Sequence, residues 1–116
     1  MALHSELPIY KVAYDLLALI IAVSRQMPRD VKLQLGGVLR DECISITVQI
    51  FRANVAQDKA PHLVDLLEHL QVAELLIRLS RDLQFIGTKQ YAAAVALTSQ
   101  LGKQANGWRK AFPPVT

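Results

Sequence analysis

Cysteine is almost absent from the chain, with Cys43 alone among 116 residues. One thiol excludes an internal disulfide framework and any cysteine-rich zinc module, and it points to a reducing, cytoplasmic setting. A long apolar run is missing as well. The richest stretch, Val12 to Val23, covers 12 residues and contains Asp15, short of the roughly 18 to 20 that a membrane-spanning helix needs. At the start of the chain His4, Ser5 and Glu6 stand where a secretory leader would place a basic segment and then an apolar one. Neither secretion nor a membrane partner is therefore expected. No low-complexity run or linker divides the sequence, and 1–116 reads as one domain that can bury a core without disulfides or metal.

The signatures of catalysis are also lacking. Cys43 falls inside an apolar helical stripe, where burial raises a thiol pKa and silences the nucleophile. Asp15, Asp41, Glu42 and Glu68 occur without a placed acid–base partner or a glycine-rich phosphate loop. A di-iron bundle would carry Glu-x-x-His pairs on two helices, and none is present. His62, Asp65 and His69 share one helical face at i, i+3 and i+7 and could offer two imidazoles and a carboxylate to a metal. Seven residues span about 10 Å of helix, too far for both rings to reach one ion easily. A solvated face is the reading adopted, and no enzyme, metal, cofactor or small-molecule substrate is expected.

What is present is apolar and helical. The composition is 52% hydrophobic against 20% charged, with a mean hydropathy of +0.23. That is rich for a small monomer and implies that some apolar surface meets another subunit. Breakers at Met27-Pro28-Arg29-Asp30, Asp58-Lys59-Ala60-Pro61 and Phe85-Ile86-Gly87-Thr88, with a Pro113-Pro114 tail, cut the chain into segments of about 5–26, 30–57, 61–83 and 88–110. Short links between similar helices predict an all-α, antiparallel up-down four-helix bundle.

Ser5 and Thr88 are the expected N-caps, Pro8 falls in a first turn, and Pro61 is expected at a first helical position. The first segment is apolar nearly all round. The second carries one stripe at Val31, Leu35, Leu39, Cys43, Ile46, Ile50 and Ala53 and another at Ile44, Val48, Phe51 and Val55, so both segments should bury two faces. Cys43 to Phe51 is β-branched and alternating enough to suit a strand. Without a closing turn or a second strand to pair with, the helix is preferred. Gly36-Gly37 marks a close helix contact or a kink. The third segment repeats Leu63, Leu66, Leu67, Leu70, Ala73, Leu76 and Ile77, with Glu74 and Arg78 as an i,i+4 pair. The fourth shows a stripe at Tyr91, Val95, Thr98, Leu101, Ala105, Trp108 and Phe112.

Charge is the more informative signal. Thirteen Lys+Arg against ten Asp+Glu give a net +3 and a pI near 9.2, a bias compatible with a polyanionic partner. Beyond Asp82 no acid occurs, while Lys89, Lys103, Arg109 and Lys110 remain. Lys89, Lys103 and Lys110 fall within about 60° of one another on a helix, a lysine edge suited to phosphate contacts and set off from the packing side that holds Trp108. Arg25, Arg29 and Lys32 bracket the first turn, Arg52 and Lys59 the next, and Arg78 and Arg81 point outward near Asp82. All eleven are candidate nucleic-acid or partner contacts.

Several stretches are recognisable together. They are Glu6-Leu7-Pro8-Ile9-Tyr10-Lys11 with Tyr14-Asp15-Leu16-Leu17, then Met27-Pro28-Arg29, Ile50-Phe51-Arg52-Ala53-Asn54, Lys89-Gln90-Tyr91, Gly102-Lys103-Gln104 and Gly107-Trp108. Over nearly its whole length the chain resembles the four-helix-bundle family that unites ribosomal-RNA intervening-sequence proteins with the accessory variability determinant (Avd) of diversity-generating retroelements. The Avd branch implies a pentameric, ring-like homo-oligomer that binds a reverse transcriptase and associates with RNA or cDNA during mutagenic retrohoming. The other branch implies a structural, RNA-associated oligomer without a polymerase partner. The modest +3 charge and Asp41-Glu42 beside the second stripe depart from a strongly basic pattern.

Overall fold

The computed structural model describes residues 3–115 and contains, among them, helices and turns but no strand. A short 3-10 turn, His4–Glu6, precedes α1, Pro8–Ser24. The second helix runs continuously over 29–55: Arg29–Val31 is α-helical, Lys32–Gly36 forms a π-helical turn, and Gly37–Val55 resumes the α-helix. We label that whole element α2. It is followed by α3, Ala60–Asp82, and α4, Thr88–Ala111. Each helix packs on its sequence neighbours and α1 closes against α4, giving an up-down bundle with extents of 47 × 22 × 22 Å.

Two of the expected caps are corrected. Ser5 lies within the 3-10 turn, and Leu7 occupies the N-cap position of α1 without a side-chain cap, so Pro8 opens the helix where its missing N–H matters least. Gly87 is the N-cap residue of α4 and Thr88 is its first helical residue. The Gly87 N–H instead donates to Gln90 Oε1 at 2.9 Å, the N3 half of a capping box. Pro61 is the second residue of α3 rather than the first. At the far end of α3, Phe85 N–H donates to Ser80 O and Gln84 N–H to Arg81 O, with Gln84 at φ 65°. This is a Schellman stop with glutamine where glycine is usual.

The core follows a 3.6-residue period on every helix. Leu16, Ile20, Leu39, Ile46, Ile50, Leu63, Leu66, Ile77 and Leu101 are essentially fully buried, and Cys43 lies among them. Burial on this period settles Cys43 to Phe51 as helix, because a strand would have turned alternate residues inward. The second stripe behaves differently. Ile44, Phe51 and Val55 are exposed in the single chain, as are Tyr14 and Ile21 of α1, so the expected second buried faces are open here. In α4, Val95 and Phe112 fall outside the packing stripe and Ala94 lies within it.

Gly36 and Gly37 differ in role. A Cβ on Gly36 would sit 3.3 Å from Ser24 Oγ, whereas one on Gly37 would meet nothing within 4 Å. Gly36 thus allows the π-turn to lie close against the end of α1. Ser24 is held in place by donating to Ile20 O at 2.6 Å. Among the described residues no helix is long and apolar enough to cross a membrane.

Candidate nucleic-acid interface

Antiparallel packing sorts the eleven candidate cations into two groups, one at each end of the bundle. The C-terminus of α1, the N-terminus of α2, the C-terminus of α3 and the N-terminus of α4 share one end, where Gln90 Nε2 donates to Gln26 Oε1 at 3.4 Å. Arg25, Arg29, Lys32, Arg78, Arg81 and Lys89 belong to this end. Arg52, Lys59, Arg109 and Lys110 belong to the other, with Lys103 two turns inward.

The helix dipole separates cations that serve stability from those that do not. Arg52, Arg81, Arg109 and Lys110 lie in the last turns of their helices, where a positive charge stabilises the partial negative end by about 0.3–1 kcal/mol. Arg81 also donates to Asp82 and covers the Tyr91 ring at 4.5 Å. Arg78 pairs with Asp82 at 3.9 Å rather than with Glu74, correcting the expected i,i+4 pair. Arg109 donates to Asn106 Oδ1. Lys59 is the most heavily engaged: its ammonium donates to Ala53 O at 2.8 Å, Ala56 O at 3.0 Å and Asn54 O at 3.3 Å, closing the end of α2, and it lies over the Phe112 and Trp108 rings.

Arg29, Lys32 and Lys89 stand the other way round. They lie in the first turns of α2 and α4, at positive helix ends that disfavour them. All three are exposed. The sequence placed Arg25 and Lys32 near one another, and the structure brings both to a cavity of about 170 Å³ between α1 and the π-turn. Arg40 lines it as well. Arg40 follows Lys32 by eight residues, about 12 Å along the helix, so the sequence did not group them; the cavity against α1 is what they share.

On the opposite face, Lys103 and Lys110 line a broader cavity of about 600 Å³ with Ser99 and Asn106, and Glu74 of α3 forms part of its wall. Burial pushes the Glu74 carboxyl above its ordinary 4.5. Lys89 lies about 31 Å from Lys110 along the axis of α4, so the lysine edge joins the two ends of the bundle rather than forming one patch.

The histidines are used within the fold. His69 Nδ1 meets Glu42 Oε2 at 2.6 Å and its Nε2 lies 3.4 Å from Asp65 Oδ2, tying α2 to α3. His62 meets Gln49 Oε1 at 3.3 Å. Among the described residues no group of His, Cys, Asp or Glu is arranged to hold a metal ion.

A short antiparallel bundle of four helices, each packed on its sequence neighbours and closed by α1 against α4, places the chain in the class of small all-helical bundle proteins. Within that class the family is specific: the sequence model of the bAvd-like family matches residues 7–112, and the chain belongs to that family. No curated protein matches the chain.

Proposed function

We propose that the protein is a non-catalytic accessory subunit of a diversity-generating retroelement, which binds the reverse transcriptase and its template RNA or cDNA. The observation that carries this reading is the basic end of the bundle. Arg29, Lys32 and Lys89 occupy helix N-termini where stability alone disfavours them, and a phosphate backbone reverses that penalty. The acid-free α4 extends the positive surface along the molecule. The bAvd-like match favours this reading over an RNA-associated oligomer that works without a polymerase.

The working form in this reading is a ring-like homo-oligomer, a pentamer, acting in the cytoplasm. Apolar residues left open on the α1–α2 and α3–α4 faces would be covered by neighbouring copies. Capture of the reverse transcriptase by the tagged protein, with template RNA present, is the expected result. Failure to form that complex with RNA supplied overturns the accessory role. Salt-titrated RNA binding tests the lysine edge: a Lys89→Ala, Lys103→Ala, Lys110→Ala variant should flatten the log–log salt slope by about 2 for single-stranded RNA. An unchanged slope removes these lysines from the interface.

A further inference from the structure

We infer that the cavity between α1 and the π-turn of α2 is a phosphomonoester site that takes the terminal phosphate of a nucleic-acid strand; the strand as its source rests on the function proposed above. Arg25, Lys32 and Arg40 line this cavity together with Ile21, Ser24 and the Gly36-Gly37 pair, and no carboxylate is among the lining residues. Among the described residues Arg25 and Lys32 have no acidic partner, and Arg40 meets only the exposed Asp41, at 3.5 Å. Such exposed pairs contribute little and yield readily to a stronger anion.

Size and charge restrict the ligand. A cavity of about 170 Å³ falls below the roughly 300–1,000 Å³ of pockets that enclose a nucleotide-sized molecule. It suits a single compact anion. Three cations exceed what one phosphodiester charge requires and match a phosphate monoester, which carries about −1.5 to −2 at pH 7. Gly36 lines the cavity where the backbone lies close to Ser24 and Met27, with no space for a larger side chain, and a phosphate monoester occurs on a nucleic-acid strand only at its end. The open side of Gly37, where a Cβ would meet nothing within 4 Å, leaves room for phosphate oxygens beside the backbone.

The test uses the full chain with inorganic phosphate and with one short RNA prepared with a 5′-phosphate or a 5′-hydroxyl. Inorganic phosphate should shift the amide resonances of Gly36, Gly37 and Arg40 saturably, and the phosphorylated strand should bind about tenfold more tightly than its hydroxyl twin. Arg40→Gln should abolish that difference by removing a charge. Gly37→Leu should abolish it by filling the cavity while all three cations remain, which separates a built site from general basicity. Circular dichroism of both variants checks that they fold. Discrimination that survives Gly37→Leu overturns the site. Saturation by inorganic phosphate with no gain for the phosphorylated strand overturns the strand-end assignment and leaves free phosphate as the ligand. Salt-sensitive RNA binding without end discrimination overturns the cavity but not the accessory role. End discrimination by a protein that captures no reverse transcriptase supports the cavity and overturns that role.

Discussion

Lys59 turns its ammonium back over the last carbonyls of α2, contacting three backbone oxygens at 2.8 to 3.3 Å. The Ala53 and Asn54 carbonyls belong to the last turn of α2, where no intrahelical N–H remains for them, and Ala56 follows as its C-cap residue; a charged donor is the strongest side-chain remedy. Replacing Lys59 by Met keeps most of the stem but removes the donor, and is expected to lower unfolding stability by about 1–2 kcal/mol. Urea denaturation measures this directly. A loss of RNA affinity at unchanged stability would instead return Lys59 to the interface. Nothing in the order Asp58-Lys59-Ala60-Pro61 reveals the engagement, because it depends on where the chain reverses. Cys43, in contrast, was legible from its stripe. Burial first, and then the negative charge of Glu42, pushes its thiol from 9.0 to about 12. The folded state therefore holds a proton that the unfolded chain releases near pH 9. The associated stability is complete below pH 9 and is lost as pH rises from there toward about 12. Denaturation midpoints should fall with pH above 9 more steeply for the native sequence than for Cys43→Ala, and parallel curves would contradict the burial argument.

At the level of the helices, proline and glycine punctuation located all four elements to within two residues at each end, apart from the start of α1 three residues late. Chain breakers act locally, and this is why they are readable. Caps were not readable, because several residues near each helix start offer a suitable side chain and the tertiary fit selects among them, whereas the Gly36-Gly37 pair marked the close contact with α1 but not the π-helical form of the turn. Ser5 has the right chemistry for a cap, but the chain spends it in a 3-10 turn before Pro8. The π-turn accommodates the approach of α2 to Ser24 of α1, a contact 12 residues away in sequence from Gly36. Two neighbouring glycines therefore predict opposite outcomes. Gly37→Ala adds a methyl group in open space and should stabilise the protein by up to about 1 kcal/mol through helix propensity. Gly36→Ala presses on Ser24, whose hydroxyl is fixed to Ile20 O, and should lose that gain or reverse it. Thermal unfolding of the two variants gives the order, and equal Tm values would show that Ser24 yields freely.

For the whole molecule, the hydropathy implied buried apolar surface that one bundle does not provide. Leu75 is 65% exposed on the α3–α4 face, with Val72 and Leu79 exposed at helical spacing on the same helix and Val95 lining a shared cavity with it, while Tyr14 is 56% exposed on α1 beside Tyr10, which stacks on Phe51 of α2. The sequence pattern marked the all-round apolar α1 and the second stripe of α2 but not the Val72, Leu75 and Leu79 row of α3, because which faces stay open depends on the order in which the helices close. These two faces lie on opposite sides of the bundle and differ in composition, with aromatic rings on the α1–α2 face and aliphatic side chains on the α3–α4 face. Unlike faces that meet head to tail form a ring when the rotation between copies closes and a filament when it does not, whereas a face that meets itself stops at a dimer. Leu75→Glu and Tyr14→Glu each place a charge where the single chain is open, so each variant should fold with stability within about 0.5 kcal/mol of the parent. Each should also break the proposed ring, which native mass spectrometry would read as monomer. Mixing the two variants distinguishes the geometries. Leu75→Glu retains an intact α1–α2 face and Tyr14→Glu an intact α3–α4 face, so a head-to-tail assembly should regain one junction and form a heterodimer that can grow no further. A self-pairing face would give no such heterodimer, and its absence from the mixture would exclude the ring.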